Sequence, residues 1–280
     1  MGAILIALAV GMLVFDQHLA PWFPFLFLFQ LGLTVAACFE FIQVLGPNRA
    51  PQRAVCYLGV VVFVLANWQA NCPTCHIRGW PLLFGILAGF LLICFLYEMA
   101  GFFGPGRSVE RIALTWLIVG YLGLLPCFFA QIRWLTPDHE ANSVRLALAV
   151  FVPKCCDIGA YTLGRLIGRH KMTPVLSPKK TWEGAFGGVI AAVLAAVAID
   201  RLGPTPVLGE WHWQIGFGVS VGIAGMLGDL AESLIKRDCQ TKDASAAVPG
   251  FGGVLDVVDA IIFAAPVAYL WFALLPLAAN

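Results

Sequence analysis

Long apolar stretches, broken at short intervals by glycine, proline and charge, run the whole length of the chain. Nine of them approach the length needed to cross a bilayer core of about 30 Å: residues 3–15, 21–45, 54–70, 80–100, 112–135, 144–167, 182–199, 213–235 and 254–277. Backbone groups in lipid must be satisfied within their own segment, so these runs predict helices rather than strands. The run 3–15 has the length of a signal-peptide core but no basic start or cleavage site, and it reads as a short first span. Turn residues fill the breaks, as in Gly46-Pro47-Asn48, Gly104-Pro105-Gly106, Thr136-Pro137-Asp138 and Gly203-Pro204. Trp22, Trp80, Trp134, Trp182, Trp211 and Trp213 fall near span ends, where interfacial anchors belong. The expected fold is an all-α polytopic membrane protein with about nine transmembrane helices. Residues 1–142 would hold about five of them. Residues 143–280 would hold about four, with loops at 168–181 and 237–253.

Composition agrees. Of 280 residues, 60% are hydrophobic and 12% charged, against about 25% charged in soluble domains. A net charge of +1 says little about partners, and no nucleic-acid partner is expected. The placement of Lys and Arg says more. Connections after the second, fourth, sixth and eighth spans carry twelve: Arg49, Arg53, Arg107, Arg111, Arg165, Arg169, Lys171, Lys179, Lys180, Lys236, Arg237 and Lys242. The opposite set carries four, Arg78, Arg133, Arg145 and Arg201. The positive-inside rule then puts both charged loops in the cytoplasm, with a bacterial inner membrane as the expected location. The nine cysteines fall mostly inside spans, where Cys behaves as a small hydrophobe. Cys72-Pro73-Thr74-Cys75-His76 fits the short c-type haem signature, but a disulfide or two free loop thiols is the reading favoured for it.

A charge at the centre of a membrane helix costs about 2.5–3.5 kcal/mol on insertion scales. Lys154 and Asp157 share a helix face at i,i+3 and can offset each other as a structural ion pair. Asp229, Glu232 and Ser233 share another face, and Asp256 and Asp259 open the ninth span. A helix macrodipole accounts for acids in a first turn, hence for Asp256 and Asp259, but not for Asp229 and Glu232. Magnesium, which takes carboxylate oxygens together with substrate phosphates, accounts for all four. The loop before the seventh span supplies the complement, in Arg169-His170-Lys171 and then Ser177-Pro178-Lys179-Lys180-Thr181-Trp182-Glu183-Gly184. Its cations could be a positive-inside signal or a patch for anionic headgroups. Ser177-Pro178 predicts an N-cap followed by Pro at the first helical position. Hydroxyls, ammonium groups and free N–H groups at a helix mouth suit a phosphate. No P-loop is present. The turn Pro249-Gly250-Phe251-Gly252-Gly253 lets backbone approach phosphate oxygens closely.

The order from Ser233 to Asp259 resembles the signature of the phosphatidate cytidylyltransferases, or CDP-diacylglycerol synthases. It runs through Ser233, Lys236-Arg237, Lys242-Asp243, the glycine turn, Asp256 and Asp259. A second block is similar too: Asp157-Ile158-Gly159-Ala160-Tyr161-Thr162-Leu163-Gly164-Arg165, followed by Ser177 to Gly184. In the N-terminal half only hydropathy and Glu40 correspond. Two positions depart, Phe251 where the family usually has His and Val257 where it usually has Arg. The resemblance implies CTP and phosphatidic acid as substrates, CDP-diacylglycerol and pyrophosphate as products, magnesium as cofactor, and a homodimer. It implies catalytic roles for Asp229, Lys236, Asp256 and Asp259. Asp229 and Asp256 would be the leading metal ligands, with Asp259 and Glu232 as alternates. Asp157, Ser177, Lys179, Lys180, Thr181, Glu183, Ser233, Arg237, Lys242, Asp243, Gly250, Gly252 and Gly253 would bind substrate. The competing readings are a CTP-dependent polyprenol or phytol kinase, a transporter using the intramembrane acids, and a haem-bearing electron carrier.

Overall fold

The computed structural model describes residues 11, 15–47, 49–69, 79–241, 245 and 252–278, with the backbone alone for 275–278. Most of the run 3–15, the Cys72–His76 segment, Lys242, Asp243, Gly250 and Phe251 lie outside the described residues. Among the described residues, seven helices are long and apolar enough to cross a membrane: α1 (Pro24–Leu45), α3 (Trp80–Ala100), α4 (Ser108–Trp134), α5 (His139–Ile167), α6 (Trp182–Leu202), α7 (Trp211–Asp238) and α8 (Val254–Ala278). Between the first two stands α2 (Arg53–Gln69), apolar and 17 residues long. At 1.5 Å per residue it rises about 25 Å. These eight correspond to the second through ninth expected spans, and the protein is an all-α, multi-pass membrane protein.

Two local features depart from a plain bundle. In α4 a π-helical turn, Gly120–Leu124, precedes Pro126. Pro126 has no N–H to continue the ordinary ladder, and an extra residue in the turn accommodates that loss. The second departure corrects an expectation. The α5–α6 connection is not a loop ending in a Ser177 cap. It folds as an antiparallel hairpin of β1 (Lys171–Thr173) and β2 (Ser177–Thr181), pairing Lys171 with Thr181 and Thr173 with Ser177. The cap of α6 is Thr181, whose hydroxyl accepts from Gly184 N at 3.1 Å. Pro178 is tolerated because a two-stranded ribbon consists only of edges.

One buried cluster joins α1–α4 to Leu255, Val258 and Ile262 of α8, and another joins α5–α8 to Phe23, Leu26, Val64 and Trp68. Close packing in the second half rests on glycine, as expected where lipid tails supply no hydrophobic drive between helices. A Cβ on Gly188 of α6 would lie 2.8 Å from the Cys156 carbonyl of α5. On Gly228 of α7 it would lie 2.6 Å from the Asp259 carbonyl and 2.7 Å from Phe263 Cβ. That second approach sets the spacing of the acids carried by α7 and α8.

Gly228→Ala is therefore expected to lower thermal stability in detergent by about 1–3 kcal/mol through overpacking. Gly89→Ala on α3, where a Cβ meets nothing within 4 Å, should leave it unchanged or raise it slightly. Equal effects in thermal unfolding would contradict the close contact.

Candidate active site

Three helices and one strand bring eight charged side chains together near the α5–α6 hairpin. On α7, Asp229, Glu232 and Lys236 stand at i, i+3 and i+7, a single helix face. Lys236 Nζ lies 2.7 Å from Glu232 Oε2 and 2.6 Å from Asp256 Oδ1 on α8. Lys180 reaches from β2 to Asp229 Oδ2 at 2.9 Å and to the Met226 carbonyl at 3.4 Å. Lys154 on α5 spans Asp157 at 3.4 Å and Asp259 on α8 at 3.6 Å. Glu232 and Asp259 are almost fully buried, at 1% and 4% exposure.

Charge and geometry together define what this cluster can hold. Five carboxylates (Asp157, Asp229, Glu232, Asp256, Asp259) less three ammonium groups (Lys154, Lys180, Lys236) leave two negative charges in surplus when all are ionised. Burying an unmatched charge costs several kcal/mol. Oxygens of Asp229, Glu232 and Asp259 all lie within 4.8 Å of one another. Glu232 Oε1 is buried with no hydrogen-bond partner. Three converging carboxylates, one with an orphaned oxygen, and a surplus of two charges fit a hard divalent cation.

Asp256 stands outside that trio. Its Oδ1 meets Lys236 and its Oδ2 accepts from Gly253 N at 2.6 Å. As the third residue of α8 reaching back to the N–H before the helix, it makes half of a capping box. Asp229, Glu232 and Asp259 thus converge on one another, while Asp256 joins them through Lys236, which also holds Glu232.

The remaining expected residues divide by role. Successive side chains of a strand point to opposite faces, so Lys180 meets Asp229 while Lys179 is exposed. Ser177 lies half-buried in β2, and Thr181 is occupied in capping α6. Glu183 is a brace, not an open ligand: it accepts from the Arg169 and His170 N–H groups and meets His170 Nδ1 at 2.5 Å. Arg237 ties α7 to the hairpin by donating to the Leu176 carbonyl at 3.4 Å. Ser233 is half-buried on α7, and Gly252 takes a positive φ of 91° beside Asp256. Two participants received no role from the sequence. Lys154 was paired there only with Asp157, yet it also reaches Asp259. Glu40 of α1, 3% exposed, accepts from Val254 N and Leu255 N at the start of α8. In the sequence it is a lone acid inside an apolar span and a position that corresponds to the family, with no role read for it.

Ligand binding to the folded state raises its stability by mass action. Millimolar magnesium is expected to raise the thermal midpoint of the wild type in detergent and to leave Asp259→Asn unmoved. Equal shifts in both proteins would reject the trio as the cation's ligands.

Comparison with known proteins agrees with the chemistry of this cluster. A family model described as the cytidylyltransferase family matches residues 1–275. A phosphatidate cytidylyltransferase of Mycobacterium bovis is 30% identical over 214 residues, 70% of this chain and 67% of the relative. One of Synechocystis is 31% identical over 66% of this chain and 69% of its own. One of Brucella suis is 42% identical over 77% of this chain and 63% of its own. The aligned region thus spans about two thirds of the length of these relatives. With a match that runs almost end to end, the chain belongs to the cytidylyltransferase family.

Proposed function

We propose that the protein transfers the cytidylyl group of CTP to phosphatidic acid, forming CDP-diacylglycerol and pyrophosphate. The observation that carries this reading is the carboxylate trio of Asp229, Glu232 and Asp259 flanked by Lys180 and Lys236 within a membrane bundle. Relatives named for the same reaction support it. A phosphatidate oxygen forms a new bond to the α-phosphorus of CTP, and the α–β bridging P–O bond breaks to release pyrophosphate. A phosphate monoester with a second pKa of about 6 is largely ionised at pH 7. The attacking oxygen therefore needs no strong general base, which leaves positioning and charge neutralisation as the protein's work.

Magnesium held by Asp229, Glu232 and Asp259 would supply Lewis-acid polarisation and a template for the phosphates. Lys180 and Lys236 are each paired with carboxylates, so incoming phosphate oxygens would compete for ammonium groups already held in place. Lys179 lies exposed on the other face of β2, free to meet a lipid headgroup from the hairpin's outer side. Asp157 keeps Lys154 between α5 and Asp259. The Lys and Arg distribution supports a site facing the cytoplasm of a bacterial inner membrane, and the family resemblance supports a homodimer.

Purified protein given CTP, magnesium and phosphatidic acid should release pyrophosphate and form a CDP-lipid. Release of CDP with phosphorylation of a lipid alcohol would replace this reading with a kinase. For orientation, Gln240→Cys in a background freed of native cysteines should label from the cytoplasmic side in intact cells, whereas labelling only from outside would invert the topology.

A further inference from the structure

The first turn of α8 has no capping side chain at its N-cap position. A helix begins with N–H groups that lack intrahelical acceptors. Gly253, the residue before Val254, has no side chain to offer one. Two carboxylates fill the gap from different directions. Asp256 reaches back to Gly253 N at 2.6 Å. Glu40, 214 residues earlier on α1, accepts from Val254 N at 3.0 Å through Oε1 and from Leu255 N at 2.8 Å through Oε2. The same Oε1 accepts from Ser245 Oγ at 2.5 Å. Among the described residues Glu40 makes no ion pair. Its buried charge is offset by three hydrogen bonds and by the positive end of the α8 dipole. A second tether lies close by, where Arg49, just beyond α1, pairs with Asp238 at the end of α7.

We infer that Glu40 is a positioning residue for the site: from the N-terminal half it fixes the start of α8, and through α8 the placement of Asp256 and Asp259. The inference rests on the proposed function and deepens it. Asp256 lies one residue beyond Leu255, and Asp259 one turn further, so the depth and rotation of both follow from where the first turn is held. Glu40 touches neither phosphate nor metal in this account. It acts through the helix it caps. That gives the N-terminal half a part in the chemistry although it contributes no side chain to the eight-charge cluster.

Two variants and two readouts test this. Glu40→Gln keeps the volume and one acceptor oxygen but loses the charge, and Glu40→Ala removes the cap. Amide hydrogen exchange in peptides covering residues 252–260 is expected to accelerate roughly tenfold in both, the effect of losing a helix cap. Peptides of α5 and α6 should exchange as in the wild type. In the CTP and phosphatidate assay, kcat per folded protein is expected to fall roughly a hundredfold, the scale of a misplaced reacting group, with little change in KM for CTP. Glu110→Gln, at an exposed pair on α4, serves as the control that changes neither. Unchanged exchange at 252–260 would overturn the inference, as would faster exchange with wild-type kcat. A wild type inactive in this assay would defeat the proposed function alone, since the exchange measurement still decides where the start of α8 is held.

Discussion

Eight charges inside a bundle that stands in lipid must balance one another, and most of the arrangement in the C-terminal half follows from that demand. A single unmatched carboxylate at this depth would cost more than most packing contacts return. The chain meets the requirement with a chain of alternating sign: Lys154 between Asp157 and Asp259, Lys180 on Asp229, Lys236 between Glu232 and Asp256. Three lysines cannot neutralise five acids. The shortfall falls on the trio whose oxygens already converge, where the proposed magnesium would restore the balance.

Such a network tolerates little slack, and the helices around it are correspondingly close. Glycines at 188, 225 and 228 let α5, α6, α7 and α8 approach until a methyl group would collide with Cys156, Pro153 or Asp259. The acids and the small residues are two aspects of one design. The close approach of α7 to α8 at Gly228 sets how near their acids can come.

Much of this was legible in the sequence because transmembrane helices announce themselves by length and hydropathy, as α1 and α3 to α8 do. The identity of the charged residues was legible as well, since acids inside apolar runs are costly and stand out. Their geometry was less so. Ser177-Pro178 carries a genuine cap pattern, yet Thr181 won the position because the intervening residues pair as β2. Asp256 and Asp259 look equivalent in a linear string, and only the fold shows one capping its helix while the other faces Glu232 and Asp229. Glu183 sits in a charged motif and proves to be a brace for the turn at His170. Glu40 stands out in the sequence by its match to the family, but nothing local links it to a backbone 214 residues away.

Among the described residues, α8 is the last helix to contribute to both buried clusters. During synthesis, then, neither cluster closes until this segment has entered the bilayer. Until that moment Lys236 lacks Asp256, Lys154 lacks Asp259, and Glu40 has no helix to cap. A chain stalled before Val254 would hold Asp229 and Glu232 in place with the trio unfinished. Assembly of the Asp229, Glu232 and Asp259 trio is thus coupled to the final insertion event.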